Sequence, residues 1–320
     1  MTPKSTIPAF GVLALLMSGT AAFAADTLTV GFAQVGSESG WRAAETKVAK
    51  QKAQQDNVTL KISDAQQKQE NEIKAVRSFV AQGVDGIFIA PVVATGWDSV
   101  LREAKDANIP VFLLDRQIET SDPSLYTAAV TSDTVLEGHM IGDYLAKITN
   151  NKCRIVELQG TVGSSPAINR KKGFGEAIAA HPDMQIVRSQ SGDFTRSGGK
   201  QVMESFIKAE NNGHDICAVF AHNDDMGIGA IQAIKEAGLK PGTDIKVVSI
   251  DGVPDMFKAM ADGEANGTVE LSPNMAGPAF KALIALKTDH TQPQKWIKTP
   301  STLYTPATAQ AEYDRRKPLY

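Results

Sequence analysis

Leu113-Leu114-Asp115-Arg116 and, in the other half of the chain, Ser249-Ile250-Asp251-Gly252 read alike: an apolar run stops at an aspartate that opens a loop. Around each lies an alternation of apolar runs and amphipathic stretches. In the first half, strand patterns at 27–32, 59–62, 86–90 and 111–114 enclose helical patterns at 41–56, 70–82 and 97–108; the second of these helices carries Ile73, Val76, Phe79 and Val80 on one face. In the second half, strands at 154–158, 185–189, 218–221 and 246–250 are separated by helices near 169–180, 198–211 and 226–237. Such alternation predicts an α/β protein with parallel sheets and crossover helices. Open α/β sheets bind ligands beyond the carboxyl ends of their strands, so Asp115 and Asp251 become equivalent residues offered by two domains. One such aspartate alone reads as a turn cap; a matched pair predicts a cleft with a carboxylate on each side.

The 320 residues carry 33 Lys+Arg against 36 Asp+Glu, a formal charge of −3, with 42% hydrophobic residues and two cysteines. That balance excludes a disordered tail protein and leaves no basic footprint for nucleic acid. The length suits about two domains of roughly 150 residues. Residues 1–24 read as a secretory signal peptide, with Lys4, an apolar stretch from Ile7 to Met17, and Ala22-Phe23-Ala24 as the cleavage site. The rival reading, a membrane anchor, fails because Pro8, Gly11, Ser18 and Gly19 interrupt a stretch short of the ~20 apolar residues a span needs. The expectation is an exported, soluble protein.

Two cysteines are too few for a Cys₄ zinc site, and the five histidines contain no i,i+4 pair, so no metal and no cofactor is expected. Cys153 opens the first strand of the second half and Cys217 its third. In a flavodoxin-like order 2-1-3-4-5 these strands are neighbours, and both cysteines then fall at amino ends, away from the ligand end. A disulfide closing 217 − 153 = 64 residues is expected in an oxidising compartment; the alternative is two buried free thiols. Gly227-Ile228-Gly229 imitates a dinucleotide fingerprint, but Gln232 replaces the third glycine, and close helix packing explains it better. Gly192 to Lys200 imitates a P-loop with the wrong spacing and with Gln201 after the lysine.

The stretches Val35-Gly36-Ser37-Glu38-Ser39-Gly40-Trp41-Arg42-Ala43-Ala44-Glu45, Phe88-Ile89-Ala90-Pro91-Val92-Val93-Ala94-Thr95-Gly96-Trp97 and His222-Asn223-Asp224-Asp225-Met226 carry a family resemblance over essentially the whole chain after the signal peptide. The sequence resembles the bacterial periplasmic sugar-binding proteins of ABC transporters, the ribose-binding-like group, and within it the galactofuranose type. The pairs Asp115-Arg116, Asn169-Arg170, Asp193-Phe194 and Asn223-Asp224 belong to the wider group. The resemblance implies two Rossmann-like (flavodoxin-like) lobes joined by a three-stranded hinge, the type I periplasmic binding protein fold. It implies crossings near Ser132, Glu270 and Thr299, an N-terminal lobe of 25–132 plus 271–299, and a C-terminal lobe of 133–270 plus 300–320.

The resemblance also implies the ligand set. Trp41 is the aromatic that stacks on the C–H face of a sugar. Arg42 follows where ribose binders carry a second aromatic, a departure that disfavours ribose. Phe194 is the aromatic of the opposite lobe; Asp115 and Asp251 accept hydroxyl bonds; Arg116, Arg170 and Asn223 donate; Glu38 adds a contact; and Glu270 stands where ribose binders use Gln. Four negatives (Glu38, Asp115, Asp251, Glu270) against three positives (Arg42, Arg116, Arg170) nearly pair themselves, which suits a neutral polyol.

The implied function is capture of a neutral monosaccharide, galactofuranose by resemblance, through hinge closure, and its delivery by a monomer to an inner-membrane ABC permease. Two other readings compete. A closed, loaded protein could serve a chemoreceptor or two-component sensor. A glycoside hydrolase also uses two carboxylates across a sugar, but arginines beside Asp115 and Asp251 are expected to push carboxyl pKa values down, away from a general acid.

Overall fold

The computed structural model describes residues 1–3 and 27–318. The expected signal peptide falls, from residue 4 onward, outside the described residues. The first sheet is built from β1 (Thr29–Gln34), β2 (Thr59–Asp64), β3 (Gly86–Ile89), β4 (Val111–Leu114) and β5 (Ala128–Thr131), with helices α1 (Gly40–Gln55), α2 (Gln69–Ala81) and α3 (Asp98–Asp106) as crossovers. The chain then passes through Ser132 and Asp133 into α4 (Thr134–Ile148). The second sheet follows with β6 (Cys153–Gln159), β7 (Met184–Ser191), β8 (Ala218–Ala221), β9 (Lys246–Asp251) and β10 (Gly267–Glu270), connected by α5 (Ser165–Ala179), α6 (Arg196–Ala209), α7 (Asp224–Glu236) and α8 (Pro254–Ala261). Helix α9 (Ala276–Thr288) and strand β11 (Trp296–Lys298) return to the first sheet; β12 (Leu303–Tyr304) and α10 (Ala309–Arg316) end in the second lobe.

Strand order is β11-β5-β4-β3-β1-β2 in one sheet and β12-β10-β9-β8-β6-β7 in the other. The first five strands of each lobe thus follow the expected 2-1-3-4-5 order, all parallel, and β12 alone is antiparallel, pairing with β10. Three passages link the sheets: β5 to α4, β10 to α9 and β11 to β12. Burying a phenylalanine is worth about 1.5–3 kcal/mol. Phe32, Phe88, Phe112 and Phe280 cement the first lobe and Phe174, Phe220 and Phe257 the second, all fully buried.

Two differences from the sequence reading have physical causes. β1 runs to Gln34, two residues past the apolar run, because it pairs with β2 through Gln34↔Asp64 and the buried Gln34 amide donates to Glu45 Oε2 and Thr46 Oγ1, each at 3.0 Å. Strands β5 and β10 carry few β-branched apolar residues in four positions and owe their form to pairing with their neighbours. Cys153 and Cys217 form a disulfide, with Cα atoms 5.3 Å apart, at the amino ends of adjacent β6 and β8. Gly229 belongs to α7 in close contact with α6, since a Cβ there would stand 2.1 Å from the Arg196 carbonyl oxygen.

Candidate ligand-binding site

In the first lobe, Ser39 caps α1 by accepting the Arg42 amide on its hydroxyl at 3.1 Å. This fixes Trp41 and Arg42 in the first turn, both buried. The Trp41 indole donates to the Leu271 carbonyl at 2.7 Å, tying its ring to the passage after β10. Arg42 is held by three carboxylates: Glu38 at 3.3 Å, Glu45 at 2.5 Å and Asp115 at 2.5 Å. Burial alone would lower the Arg42 pKa, but Glu45, Asp115 and Glu38 together raise it well above the usual guanidinium value. Burial raises Glu45 against the pull of Arg42. Arg116 donates to the carbonyls of Pro91 (3.3 Å) and Val92 (3.0 Å). Its guanidinium stands 3.6 Å from Glu38, and burial followed by Arg42 lowers its pKa. Behind it, buried Glu72 accepts the Val92 amide at 2.8 Å, and burial pushes its carboxyl up to about 8.

In the second lobe, Arg170 donates from Nε to Glu137 at 2.9 Å and from Nη1 to the His222 carbonyl at 2.7 Å, with Nη2 3.6 Å from Asp251. Glu137 also accepts the hydroxyls of Ser132 (2.5 Å) and Ser301 (3.2 Å), one from each of two inter-sheet passages. Asn223 caps α7 through Met226 N at 3.0 Å and braces Phe194 by donating to its carbonyl at 3.1 Å. Its NH₂ has one further hydrogen to offer. Burial lowers the pKa of His222, whose Nε2 stands 3.1 Å from Glu157.

The backbone at the strand ends is unusual. Asp115 has φ 63°, Asp251 φ 133°, and the consecutive Asp193 and Phe194 have φ 54° and 60°. Asp tolerates the left-handed region through local hydrogen bonding; a bulky Phe there is an outlier, and such residues concentrate at ligand clamps. The expectation that arginines hold the cleft carboxylates low is not met at Asp251. Burial, over the opposition of Arg170 and with help from Asp224, Asp115 and Asp225, pushes its pKa well above the usual carboxylate range.

Both lobes close on one small, tight cavity of about 20 Å³. Glu38, Trp41, Arg42, Asp115, Arg116, Arg170, Phe194, Asn223 and Asp251 all line it, joined by Ser39, Pro166 and Leu271. Three carboxylates and three guanidiniums therefore face the same space. Contacts across the gap include Ala94 N to Gly163 O and Gln117 N to Ser165 Oγ, each 2.8 Å, and the Arg116 guanidinium 5.2 Å from the Phe194 ring centre. Glu38 Oε2, Asp115 Oδ1, Arg116 Nε and Arg170 Nη2 are buried without a hydrogen bond among the described residues.

Glu270 is the one sequence-predicted site residue that the structure sets apart from this lining. Its carboxylate pairs with Arg316 of α10 at 2.8 Å and accepts the Tyr304 hydroxyl at 3.3 Å. The reading of the residues missed Glu45, Glu72 and Glu137, the carboxylates that hold or flank the arginines. Only Glu45 left a signal, its i,i+3 spacing from Arg42 on a helix.

Two parallel α/β sheets joined by three passages and closed on a buried polar cavity define a two-lobed solute-binding protein. Residues 30–288 match the periplasmic binding protein domain, and the chain belongs to that family. It is 70% identical over 291 residues, 91% of this chain and 92% of the relative, to the galactofuranose-binding protein YtfQ of Escherichia coli (strain K12). A crystal structure of a galactofuranose binding protein superposes with a TM-score of 0.91 at 70% identity, covering 91% of this chain and 99% of that one. The periplasmic binding component of the arabinose ABC transporter from Shewanella sp. ANA-3, bound to α- and β-L-arabinofuranose, superposes with a TM-score of 0.88 at 57% identity, covering 91% of this chain and 96% of that one.

Proposed function

We propose that the protein is an exported periplasmic receptor that captures galactofuranose by closing two lobes and hands it, as a monomer, to an inner-membrane ABC permease. The observation that carries this reading is the convergence of nine residues, predicted from both halves of the chain, on one small cavity lined by three carboxyl groups and three guanidiniums. A balanced set of carboxylates and guanidiniums suits a neutral ligand. Each buried polar atom left without a partner costs about 1–3 kcal/mol, so Glu38, Asp115, Arg116 and Arg170 favour a ligand that brings hydroxyls from several directions. Trp41 and Phe194, one per lobe, offer apolar faces to the sugar C–H bonds. Micromolar affinity needs only about −8 kcal/mol. The names of the related proteins supply the furanose form.

In this reading the N-terminal lobe is 25–132 plus 271–299, the C-terminal lobe 133–270 plus 300–320, and residues 1–24 are removed on export. Glu270 serves the hinge and not the sugar. The protein binds without a catalytic step, so a chromogenic galactofuranoside incubated with it releases no product. Calorimetry tests the proposal: galactofuranose gives saturable heat, ribose binds at least about tenfold more weakly, and Asp115→Asn or Trp41→Ala weakens galactofuranose by about the same factor. Absence of heat with every pentose and hexose tried would overturn it.

A further inference from the structure

Asp225 is not part of the cavity lining, yet it is 4% exposed and lies between the lobes. Its Oδ2 accepts the Gly40 amide at 2.8 Å, across 185 residues of sequence. Its Oδ1 accepts Arg196 Nε at 3.2 Å and Nη2 at 3.0 Å, and Arg196 Nη2 reaches Asp255 at 3.0 Å. Gly40 is the first residue of α1, so its amide is among the four that a helix leaves without an internal partner. Ser39 satisfies the Arg42 amide from within the first lobe; the Gly40 amide is satisfied from the second. Asp225 also sits in the first turn of α7. The positive ends of two helices, one from each lobe, thus meet at a single carboxylate. Gly40 lies between Ser39 and Trp41, both of which line the cavity.

We propose that Asp225 is a positioning residue of the binding site: by capping α1 from the opposite lobe it latches the two lobes together and holds the turn carrying Ser39, Trp41 and Arg42 over the ligand. The inference rests on the two-lobe capture reading above. Contact between Gly40 and Asp225 exists only when the lobes are together, so its loss acts on the closed state and not on either lobe. A ligand held in a closed form that opens more readily leaves sooner, and the latch shows mainly in the dissociation rate.

Gly40→Pro is the direct test. Proline suits the first helical position and lacks the amide hydrogen, and Ser39, at φ −140° and ψ 160°, already has the extended backbone that precedes proline. Gly40→Ala is the control, since it keeps the N–H and its Cβ stands at an ordinary 3.4 Å from Asp225 Oδ2. Asp225→Ala removes the acceptor without adding bulk.

The expected result is that Gly40→Pro and Asp225→Ala each raise the galactofuranose dissociation rate about tenfold, while Gly40→Ala stays within about twofold. The double variant should be no worse than the worse single one. Thermal unfolding of ligand-free Gly40→Pro should match or exceed the wild type, and its radius of gyration by small-angle scattering should be larger. A Gly40→Pro dissociation rate within about twofold of wild type, an equal loss in Gly40→Ala, or additive losses in the double variant would overturn the latch. If wild-type protein binds no galactofuranose, the functional proposal fails on its own. The latch is then decided by scattering from the ligand-free proteins, and equal radii reject it.

Discussion

At Asp115 and Asp251 the chain leaves its strands with φ 63° and 133°, values that turn both carboxylates out of the sheets toward the shared cavity. Phe194, at φ 60°, is aimed in a related way, and Gly160 makes room for it: a Cβ at Gly160 would stand 1.9 Å from Phe194 Cζ. Gly160→Ala should therefore push the ring from its place and weaken sugar binding by about tenfold or more, measured by calorimetry; unchanged affinity would show that the ring is not a contact. Glu72 gives a pH signature. Its carboxyl, raised by burial to about 8, keeps a proton that the unfolded chain releases near ~4.3. Its contribution to stability is full below that lower value and is lost as pH rises to about 8. Glu72→Gln lacks this loss, so it should gain on the wild type from about pH 5 to about 8 and then level off, read from urea denaturation at fixed pH values. A pH-independent difference would contradict the burial argument.

At the scale of elements, α4 and α5 pack so closely that a Cβ at Gly138 would lie 2.4 Å from the Arg170 carbonyl oxygen, and one at Gly173 2.0 Å from that of Val135. This contact sets Arg170 against Glu137, and Glu137 against Ser132 and Ser301 of the passages between lobes. Gly138→Ala should destabilise by at least about 1–3 kcal/mol in denaturant melts and weaken sugar binding with it. The Cys153–Cys217 bond closes a 64-residue loop, worth roughly 4 kcal/mol in the chain-entropy model. Its place at the amino ends of β6 and β8 separates it from the cavity at the carboxyl ends. Reduction should lower the unfolding temperature while leaving sugar affinity within about twofold; a large affinity loss would show that the bond shapes the site.

The strands that place the site were legible because β4 and β9 are apolar runs ending in aspartate. β5, β10, β11 and β12 were not legible in the periodicity, being two to four residues long and shaped by their neighbours in the sheets. Of the cavity residues, Asp115 and Asp251 were legible from the strands they end, whereas Trp41, Arg42 and the others were legible only through the family resemblance. Asp225 and Glu137 act through partners as distant as 185 and 164 residues along the chain, and no local pattern announces such contacts.

For the whole molecule, the two sheets repeat one topology and meet over one polar cavity, so a ligand bound there touches both lobes. A ligand that contacts both lobes favours the closed form through bonds unavailable when the lobes part. It also selects its own ring form: if only the furanose fits, binding draws galactose in solution toward that minor form. The direct test is carbon NMR of galactose labelled at its anomeric carbon and mixed with excess protein. The account predicts bound anomeric signals of the furanose form and loss of the pyranose signals as mutarotation feeds the complex; bound signals from the pyranose, or no bound signal at all, would contradict it.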